Sequence, residues 1–285
     1  MFINRDVKDC EYNGRNDIEK ITFGPNVRYI GKYAFFNCEN LKEVIMTNVE
    51  TIDNLAFKFC LRLCKVILND GLILINNSAF YGTDIVSLVI PDSVIKIENS
   101  AFQHCKSLVN IKLPNSLTET SNNLFFGCVS LINIIIPNSV KKIGPHTFQF
   151  CNSLVIIKLP NSLMKIGNSA FYACESLKSI TIPKTVKFID KYCFDHCYEL
   201  STVNFEEDSQ LKTIGVFAFG GCVKLENINF PKSLTRIDKF AFVCCPIKNV
   251  ELHNVTFIGY GAFDNINEDI VDGLDERDRC VSLFD

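Results

Sequence analysis

Residues 153–174 read SLVIIKLPNSLMKIGNSAFYAC, and this stretch contains one complete structural unit of the chain. The two preceding segments, SLVNIKLPNSLTETSNNLFFGC (107–128) and SLINIIIPNSVKKIGPHTFQFC (130–151), share its frame. The following segment, SLKSITIPKTVKFIDKYCFDHC (176–197), shares it too. A period of about 23 residues that recurs in this way indicates a solenoid, in which each turn stacks on the next.

The phenylalanine near the end of each segment marks the register of the repeat along almost the whole chain. Successive phenylalanines in this position are 21 to 25 residues apart and define eleven units, which we number 1 to 11. They are Phe35, Phe57, Phe80, Phe102, Phe125, Phe148, Phe171, Phe194, Phe219, Phe242 and Phe263. A cysteine follows three residues later in most units, at Cys38, Cys60, Cys105, Cys128, Cys151, Cys174, Cys197, Cys222 and Cys245.

Each unit has an internal pattern that predicts its local structure. The motif L-x-x-I-x-[LI] alternates inward and outward positions, as a short half-buried strand requires. A proline then ends the strand, as at Pro114, Pro137 and Pro160. Because no unit can bury its apolar side alone, the units must stack and their strands must pair in parallel. The sequence therefore predicts an α/β repeat solenoid, mostly β, of about eleven units.

The working consensus S-L-x-x-I-x-[LI]-P-x-S-[VL]-x-x-I-G-x-x-A-F-x-x-C resembles the BspA-like (Treponema pallidum-type) leucine-rich repeat family over residues 18–263. This resemblance implies a right-handed solenoid with a concave parallel sheet and a binding or adhesive role. Residues 1–17 are expected to form an N-terminal cap, and residues 264–285 an acidic C-terminal cap or tail. Local departures from the consensus are Thr120, Leu124, Thr147 and Cys193.

The recurring cysteine is interpreted as a free thiol that fills a small position in the core. Unit 3 has Thr83 in this position, so the cysteine is not obligatory. Fourteen cysteines in a chain without a secretory signal also favour a reducing compartment. Cysteines in stacked turns would nevertheless lie within disulfide range, so their spacing alone leaves bridges open.

Charge and targeting features point to an intracellular protein without a nucleic-acid partner. The net charge is −3, and residues 264–285 alone contain eight acids against two arginines. This balance gives no reason to expect binding to a phosphate backbone. The N-terminus has no apolar signal region, no segment is long enough to span a membrane, and the final SLFD is not a prenylation box. We expect a cytoplasmic protein, with the cell surface, reached by a non-standard route, as the alternative.

Catalytic and metal-binding motifs are weak in this chain. The segment CFDHC (193–197) contains possible metal ligands, but Cys197 and Phe194 occupy their ordinary repeat positions, and Cys193 stands where alanine is usual. A structural zinc site needs four convergent ligands, and no second closely spaced pair accompanies this one. The four histidines lie in different turns, and the common hydrolase and nucleotide-binding motifs are missing from the sequence. We therefore predict neither an enzyme nor a cofactor.

The candidate binding residues are aliphatic side chains at outward positions of the predicted strands in units 2 to 7. They are Ile45, Ile67, Val86, Val89, Val109, Ile132, Ile135, Val155 and Ile156. A contiguous apolar stripe there would indicate an interaction site. The alternative is ordinary β-propensity, because strands favour Val and Ile on either face. We predict a non-enzymatic module that binds a protein partner through its concave face, or self-associates there, with a surface or secreted adhesin as the alternative.

Overall fold

The structure is a computed structural model that describes residues 1–248 and 250–263. These residues form a mostly-β solenoid of about eleven turns, in which most turns contribute one longer and one shorter strand. In chain order the strands are β1 (Phe2–Ile3), β2 (Lys20–Phe23), β3 (Tyr29–Ile30), β4 (Glu43–Ile45), β5 (Thr51–Ile52), β6 (Lys65–Ile67), β7 (Leu74–Ile75), β8 (Ser87–Val89), β9 (Lys96–Ile97), β10 (Asn110–Lys112), β11 (Glu119–Thr120), β12 (Asn133–Ile135), β13 (Lys142–Ile143), β14 (Ile156–Lys158), β15 (Lys165–Ile166), β16 (Ser179–Ile182), β17 (Phe188–Ile189), β18 (Thr202–Phe205), β19 (Thr213–Ile214), β20 (Arg236–Ile237) and β21 (Phe257–Ile258).

The longer and shorter strands form two separate parallel arrays along the solenoid. The longer strands pair as β1-β2-β4-β6, β8-β10, β12-β14 and β16-β18. The shorter strands pair as β3-β5-β7-β9 and as a seven-stranded sheet from β11 through β13, β15, β17, β19 and β20 to β21. Every pair is in register, so that Ile143, Ile166 and Ile189 follow one another across three turns. Residues at equivalent repeat positions therefore stack in columns.

The phenylalanines of the repeat form the central column of the core. Those of units 1 to 10 are fully buried. Neighbouring rings in the column stack almost parallel, with centroids 5.1–5.9 Å apart and interplanar angles of 3–15°. Tyr12 extends the column at the N-terminal end, 5.1 Å from Phe35. Residues before unit 1 thus cover the first phenylalanine with a ring of the same kind.

The repeat cysteines are buried and bind the turns to one another through their thiols. The Cys128 thiol donates to the carbonyl oxygen of Phe102 in the preceding turn, with an Sγ–O distance of 3.1 Å. The same contact joins Cys60 to Phe35, Cys105 to Phe80, Cys151 to Phe125, Cys174 to Phe148, Cys197 to Phe171, Cys222 to Phe194 and Cys245 to Phe219. No disulfide is present among the described residues. The cysteine is therefore a core filler that also supplies a hydrogen-bond donor.

The segment around each phenylalanine, from two residues before it to three after it, is called here the turn edge. In unit 6, His146 and Phe150 flank Phe148 and both have left-handed backbone conformations, with φ of +57° and +60°. Comparable positive φ values recur at these two positions in the other units from 1 to 10. Alternating right- and left-handed residues cannot continue an α-helix. The predicted α component is accordingly not found: the described residues contain strands and turns and no α-helix.

Two further expectations concern the C-terminal segment and membrane-spanning helices. The acidic cap or tail at residues 264–285 lies outside them. Within residues 1–248 and 250–263, the structure has no helix long and apolar enough to cross a membrane.

Candidate partner-binding face

The longer strands present one face to solvent, formed by the second, third and fifth residues of L-x-x-I-x-[LI]. We call it the strand face. All nine predicted binding residues lie on it with solvent access. Six are exposed by 43–72%, namely Ile67, Val86, Val89, Ile132, Ile135 and Ile156. Ile45, Val109 and Val155 are half-buried.

The register of the strands brings these residues into two columns. In the fifth position, Ile45 lies beside Ile67 in the paired strands β4 and β6, and Val89 occupies this position in the next unit. In the second position, Val86, Val109, Ile132 and Val155 follow one another through units 4 to 7. Backbone hydrogen bonds connect all four members of this column, from Val109 N to Val86 O, from Ile132 N to Val109 O and from Val155 N to Ile132 O.

The apolar surface changes column along the solenoid, which the sequence interpretation did not anticipate. In the fifth position, Lys112 pairs with Val89, and Lys158 pairs with Ile135. The aliphatic residues therefore occupy the fifth position in units 2 to 4 and continue mainly in the second position in units 4 to 7. We call this set of nine aliphatic residues the apolar diagonal. Lysines interrupt its fifth-position column in units 5 and 7.

An open groove with a volume of about 750 Å³ crosses the strand face over units 3 to 6. Its lining includes Ile67, Val89 and Ile135 from the apolar diagonal, together with Lys112. Pro91 and Pro137, which follow their strands, line one side. The groove is a shallow surface without an enclosed cavity, and such a shape suits a polypeptide better than a small substrate.

Charges on the strand face are paired near its N-terminal end. Glu43 lies between Lys20 and Lys65, 2.8 Å from the ammonium of each, and these lysines lower the pKa of its carboxyl. Lys42 pairs with Glu19 at 3.0 Å in the neighbouring column. Because both members of each pair are on the protein, this end presents little net charge to a partner.

The centre of the strand face is different. The outward positions of units 4 to 9 hold three lysines, Lys112, Lys158 and Lys178, and no carboxylate. None of the three forms an ion pair with the residues that the structure describes. Asp70 and Asp92 lie with Lys112 at one edge of the groove. Hydrogen bonds from Asn115 lower the pKa of Asp92, and Lys112 contributes to this effect.

Exposed apolar side chains also occur beside the shorter strands. Ile73, Ile95 and Met164 are 43%, 63% and 58% exposed, and Phe188 is 56% exposed. They come from units 3, 4, 7 and 8, so no three of them are consecutive. These residues are the ordinary exposed apolar residues of a β protein, and they provide a reference for the denser apolar diagonal.

A second aromatic column runs along the turn edge, and the sequence interpretation missed it. The ring alternates between the first and second positions after the repeat phenylalanine. It is contributed by Phe36, Phe59, Tyr81, His104, Phe126, Phe150, Tyr172 and His196. Neighbouring rings are 5.3–5.8 Å apart, and all but the last pair meet edge to face. The alternation was visible in AFFNC, AFKFC, AFYGT and AFQHC (34–38, 56–60, 79–83, 101–105), as a repeat of two units.

The segment CFDHC belongs to this second column. Cys193 and Cys197 are fully buried in the core, whereas His196 is half-buried at the surface, so the possible ligands point to different sides of the backbone. The His196 Nδ1 atom lies 2.9 Å from Asp195 Oδ1, without hydrogen-bond geometry. Burial raises the pKa of the Asp195 carboxyl. Within the described part of the chain, no group of three or more His, Cys, Asp or Glu residues is arranged to hold a metal ion.

Comparison with known families agrees with the repeat geometry. The family described as "BspA type Leucine rich repeat region (6 copies)" matches residues 5–81, 73–201 and 187–270. The chain belongs to the BspA-type leucine-rich repeat family. The resemblance predicted from the consensus is thereby confirmed. No curated protein matches the chain.

Solved structures of similar proteins show the same fold. A leucine-rich repeat protein from Bacteroides ovatus is 26% identical, with a TM-score of 0.65, covering 92% of this chain and 84% of that one. A leucine rich cell surface protein from Faecalibacterium prausnitzii is 20% identical, with a TM-score of 0.51, covering 89% of this chain and 78% of that one. The second likeness is evidence for the fold alone. Leucine-rich repeat proteins of this kind are typically non-enzymatic interaction modules.

Proposed function

We propose that this BspA-type solenoid is a non-enzymatic protein-interaction module and that it binds a protein partner through its strand face. The face would be the concave side of a right-handed solenoid, as the family resemblance implies. The apolar diagonal is the observation that carries the proposal. Consecutive exposed aliphatic residues on one face exceed what scattered surface residues provide, and they would give a partner an apolar contact.

The experiment that tests this function compares two variants with the same number and kind of substitutions. One carries Ile67→Glu, Val89→Glu and Ile135→Glu on the strand face. The other carries Ile73→Glu, Ile95→Glu and Met164→Glu beside the shorter strands, where exposures are similar. Each is used, with the wild type, for affinity capture from the native cell followed by quantitative mass spectrometry. Thermal unfolding shows whether each variant is folded.

We expect partners captured by the wild type to be retained by the second variant and lost by the first. The glutamates would replace apolar contact surface with hydrated carboxylates, and those at positions 89 and 135 would also pair with Lys112 and Lys158, so both changes would oppose binding. If the folded strand-face variant captures the same partners as the wild type, the strand face is not the binding surface. If both variants lose the partners equally, the strand face has no special role.

Self-association through the same face is a variant of this function. It predicts a dimer whose population increases with concentration and disappears in the strand-face variant. Analytical ultracentrifugation of the purified wild type over a wide concentration range measures this directly. A monomer at all concentrations would leave a different protein as the partner.

A surface or secreted adhesin is the second candidate function. The similar structure from Faecalibacterium prausnitzii is described as a cell surface protein, which motivates this candidate for the present chain. Protease treatment of intact cells distinguishes the two locations. Degradation of the chain while cytoplasmic markers survive would favour the adhesin, whereas full protection would favour the cytoplasmic location predicted from the sequence.

A further inference from the structure

We infer that the partner contacts the strand face through an acidic segment that also carries aliphatic side chains. This inference rests on the proposed function, because it concerns the same face. It goes further by naming the chemistry of the bound segment. Three features of the described residues support it: the unpaired lysines, the distribution of charge along the solenoid, and the lack of aromatic side chains on the central strand face.

The lysines of the central strand face form no ion pair with any described residue, although the charge of Lys112 contributes to the lowered pKa of Asp92. Lys158 and Lys178 occupy adjacent units, and the neighbouring outward positions hold Ser179, Thr181 and aliphatic residues. By contrast, the lysines of units 1 to 3 are paired with glutamates on the same face. A carboxylate from a partner would therefore be attracted to the centre of the face and not to its N-terminal end.

The charge of the whole central region has the same sign. Residues 103–197 contain ten lysines and four acids, a net charge of +6. Residues 1–102 contain eleven basic and thirteen acidic residues, a net charge of −2. The positive field is thus strongest over units 5 to 8, where the apolar diagonal and the lysines adjoin. Such a field directs an acidic segment to this part of the solenoid.

The apolar neighbours of the lysines favour a peptide over a nucleic acid. Lys112 and Lys158 alternate with Val89 and Ile135 in the fifth position of successive units. Aromatic side chains, on which exposed bases would stack, are missing from the outward positions of units 4 to 9. Alternating cationic and aliphatic positions match a segment that has both acids and aliphatic residues.

The aliphatic residues and the three lysines lie close enough together for one peptide segment to contact both. From Val89 in unit 4 to Lys178 in unit 8 the solenoid advances by four turns, roughly 19 Å at about 4.8 Å per strand. An extended peptide of about six residues spans this length, and a helix of about thirteen residues does so too. A single segment of a partner can therefore reach both the aliphatic residues and the three lysines.

The test uses the full chain and a fluorescein-labelled peptide composed of aspartate, glutamate and leucine. One matched peptide has its acids replaced by amides, and another has its leucines replaced by serine. A second strand-face protein, the lysine variant, carries Lys112→Gln, Lys158→Gln and Lys178→Gln. The control variant carries Lys141→Gln, Lys165→Gln and Lys187→Gln, which removes the same charge from exposed lysines of units 6 to 8 beside the shorter strands.

Fluorescence anisotropy should show salt-dependent binding of the acidic aliphatic peptide to the wild type and to the control variant. The lysine variant of the strand face should bind the peptide about tenfold more weakly than the wild type, since it loses three exposed ion pairs of ordinary strength. Both matched peptides should bind more weakly than the complete one. Equal loss in the two lysine variants, or no binding to the wild type, would overturn the inference.

Two further arms test other occupants of the face. A labelled single-stranded RNA is compared directly with the peptide. The assignment to a peptide would be overturned if the RNA binds more tightly than the peptide and this binding is lost in the lysine variant of the strand face. Replacing the eight acids of residues 264–285 by amides tests the chain's own acidic segment as the occupant. If this variant binds the peptide more than tenfold more tightly than the wild type, the assignment to a partner is wrong.

The inference and the proposed function can fail separately. If partner capture is lost with Ile67→Glu, Val89→Glu and Ile135→Glu but unchanged with the three strand-face Lys→Gln substitutions, the function stands and the acidic partner does not. If neither variant changes capture, both are wrong. Loss of the same partner in both variants, with retention in both controls, supports both.

Discussion

The turn edge and the strand face of this solenoid are built from the same repeat but restrict their side chains in different ways. At the turn edge, Phe148 contacts the rings of its two neighbours and Cys151 donates to a carbonyl of the preceding turn. On the strand face, Ile135 is 72% exposed and has a lysine as its neighbour. Stability is therefore expected to depend mainly on the edge, which leaves the face available for recognition.

Alkaline pH should have the largest effect on stability, because it ionises the buried thiols of many turn edges together. Burial raises the pKa of Cys105 to about 12 and raises the pKa of Cys60, Cys128, Cys151, Cys174, Cys193, Cys197 and Cys222 as well. Raised thiol pKa values mean that stability is complete below the unfolded pKa and is lost as pH rises toward the folded one.

We therefore expect the free energy of unfolding to fall steeply above about pH 9, by about 1.4 kcal/mol per pH unit for each fully buried thiol. Urea unfolding at a series of pH values measures this slope. A matched variant with Cys105→Thr, Cys128→Thr and Cys151→Thr should have a shallower slope, and Thr83 shows that the position accepts threonine. An identical slope in the two proteins would show that the thiols are not responsible.

Truncating one ring of the phenylalanine column should cause the next largest effect. Phe148→Ala removes a fully buried ring that stacks on Phe125 and Phe171, and we expect a loss of about 3–5 kcal/mol. Ile135→Ala on the strand face of the same unit should change stability by less than about 1 kcal/mol. Urea denaturation of both variants gives the comparison. Similar losses would mean that the face contributes to stability as much as the edge.

Substitution of a glycine beside the second aromatic column should reduce stability by a smaller amount. Gly127 has φ of +70°, and a Cβ there would lie 2.5 Å from His104 Nδ1. Gly127→Ala should therefore cost about 1–2 kcal/mol for the left-handed backbone, plus the cost of displacing His104. In a His104→Ala background the second part should vanish, which a double-mutant cycle measures. The same cost in both backgrounds would show that the ring and the glycine are independent.

The two-unit alternation shows where sequence interpretation succeeded and where it stopped. Phe148 and the strand residues recur with every unit, so their roles follow from the period. The ring at the second position, such as Phe150, recurs only in alternate units, because a neighbouring ring needs a small residue such as Gly127 beside it. A consensus built from single units does not show this alternation between neighbouring units.

The candidate site was predictable in part for a similar reason. The alternation of strand residues was sufficient to place Ile67, Val89 and Ile135 on one exposed face. The shape of the apolar diagonal depends on which outward positions stack, and this becomes clear only when Lys112 and Lys158 are placed beside them. The thiol hydrogen bonds were also invisible, because a consensus cysteine looks the same whether it only fills space or also donates.

Substitutions on the strand face should have the smallest effect on stability. The variant with Ile67→Glu, Val89→Glu and Ile135→Glu replaces only exposed side chains, although glutamate is less favourable in strands. We expect a loss of less than about 1 kcal/mol, measured by urea denaturation at pH 7. A loss as large as that of Phe148→Ala would mean that the strand face is part of the folding core, and reduced capture by this variant would then report unfolding instead of a missing contact.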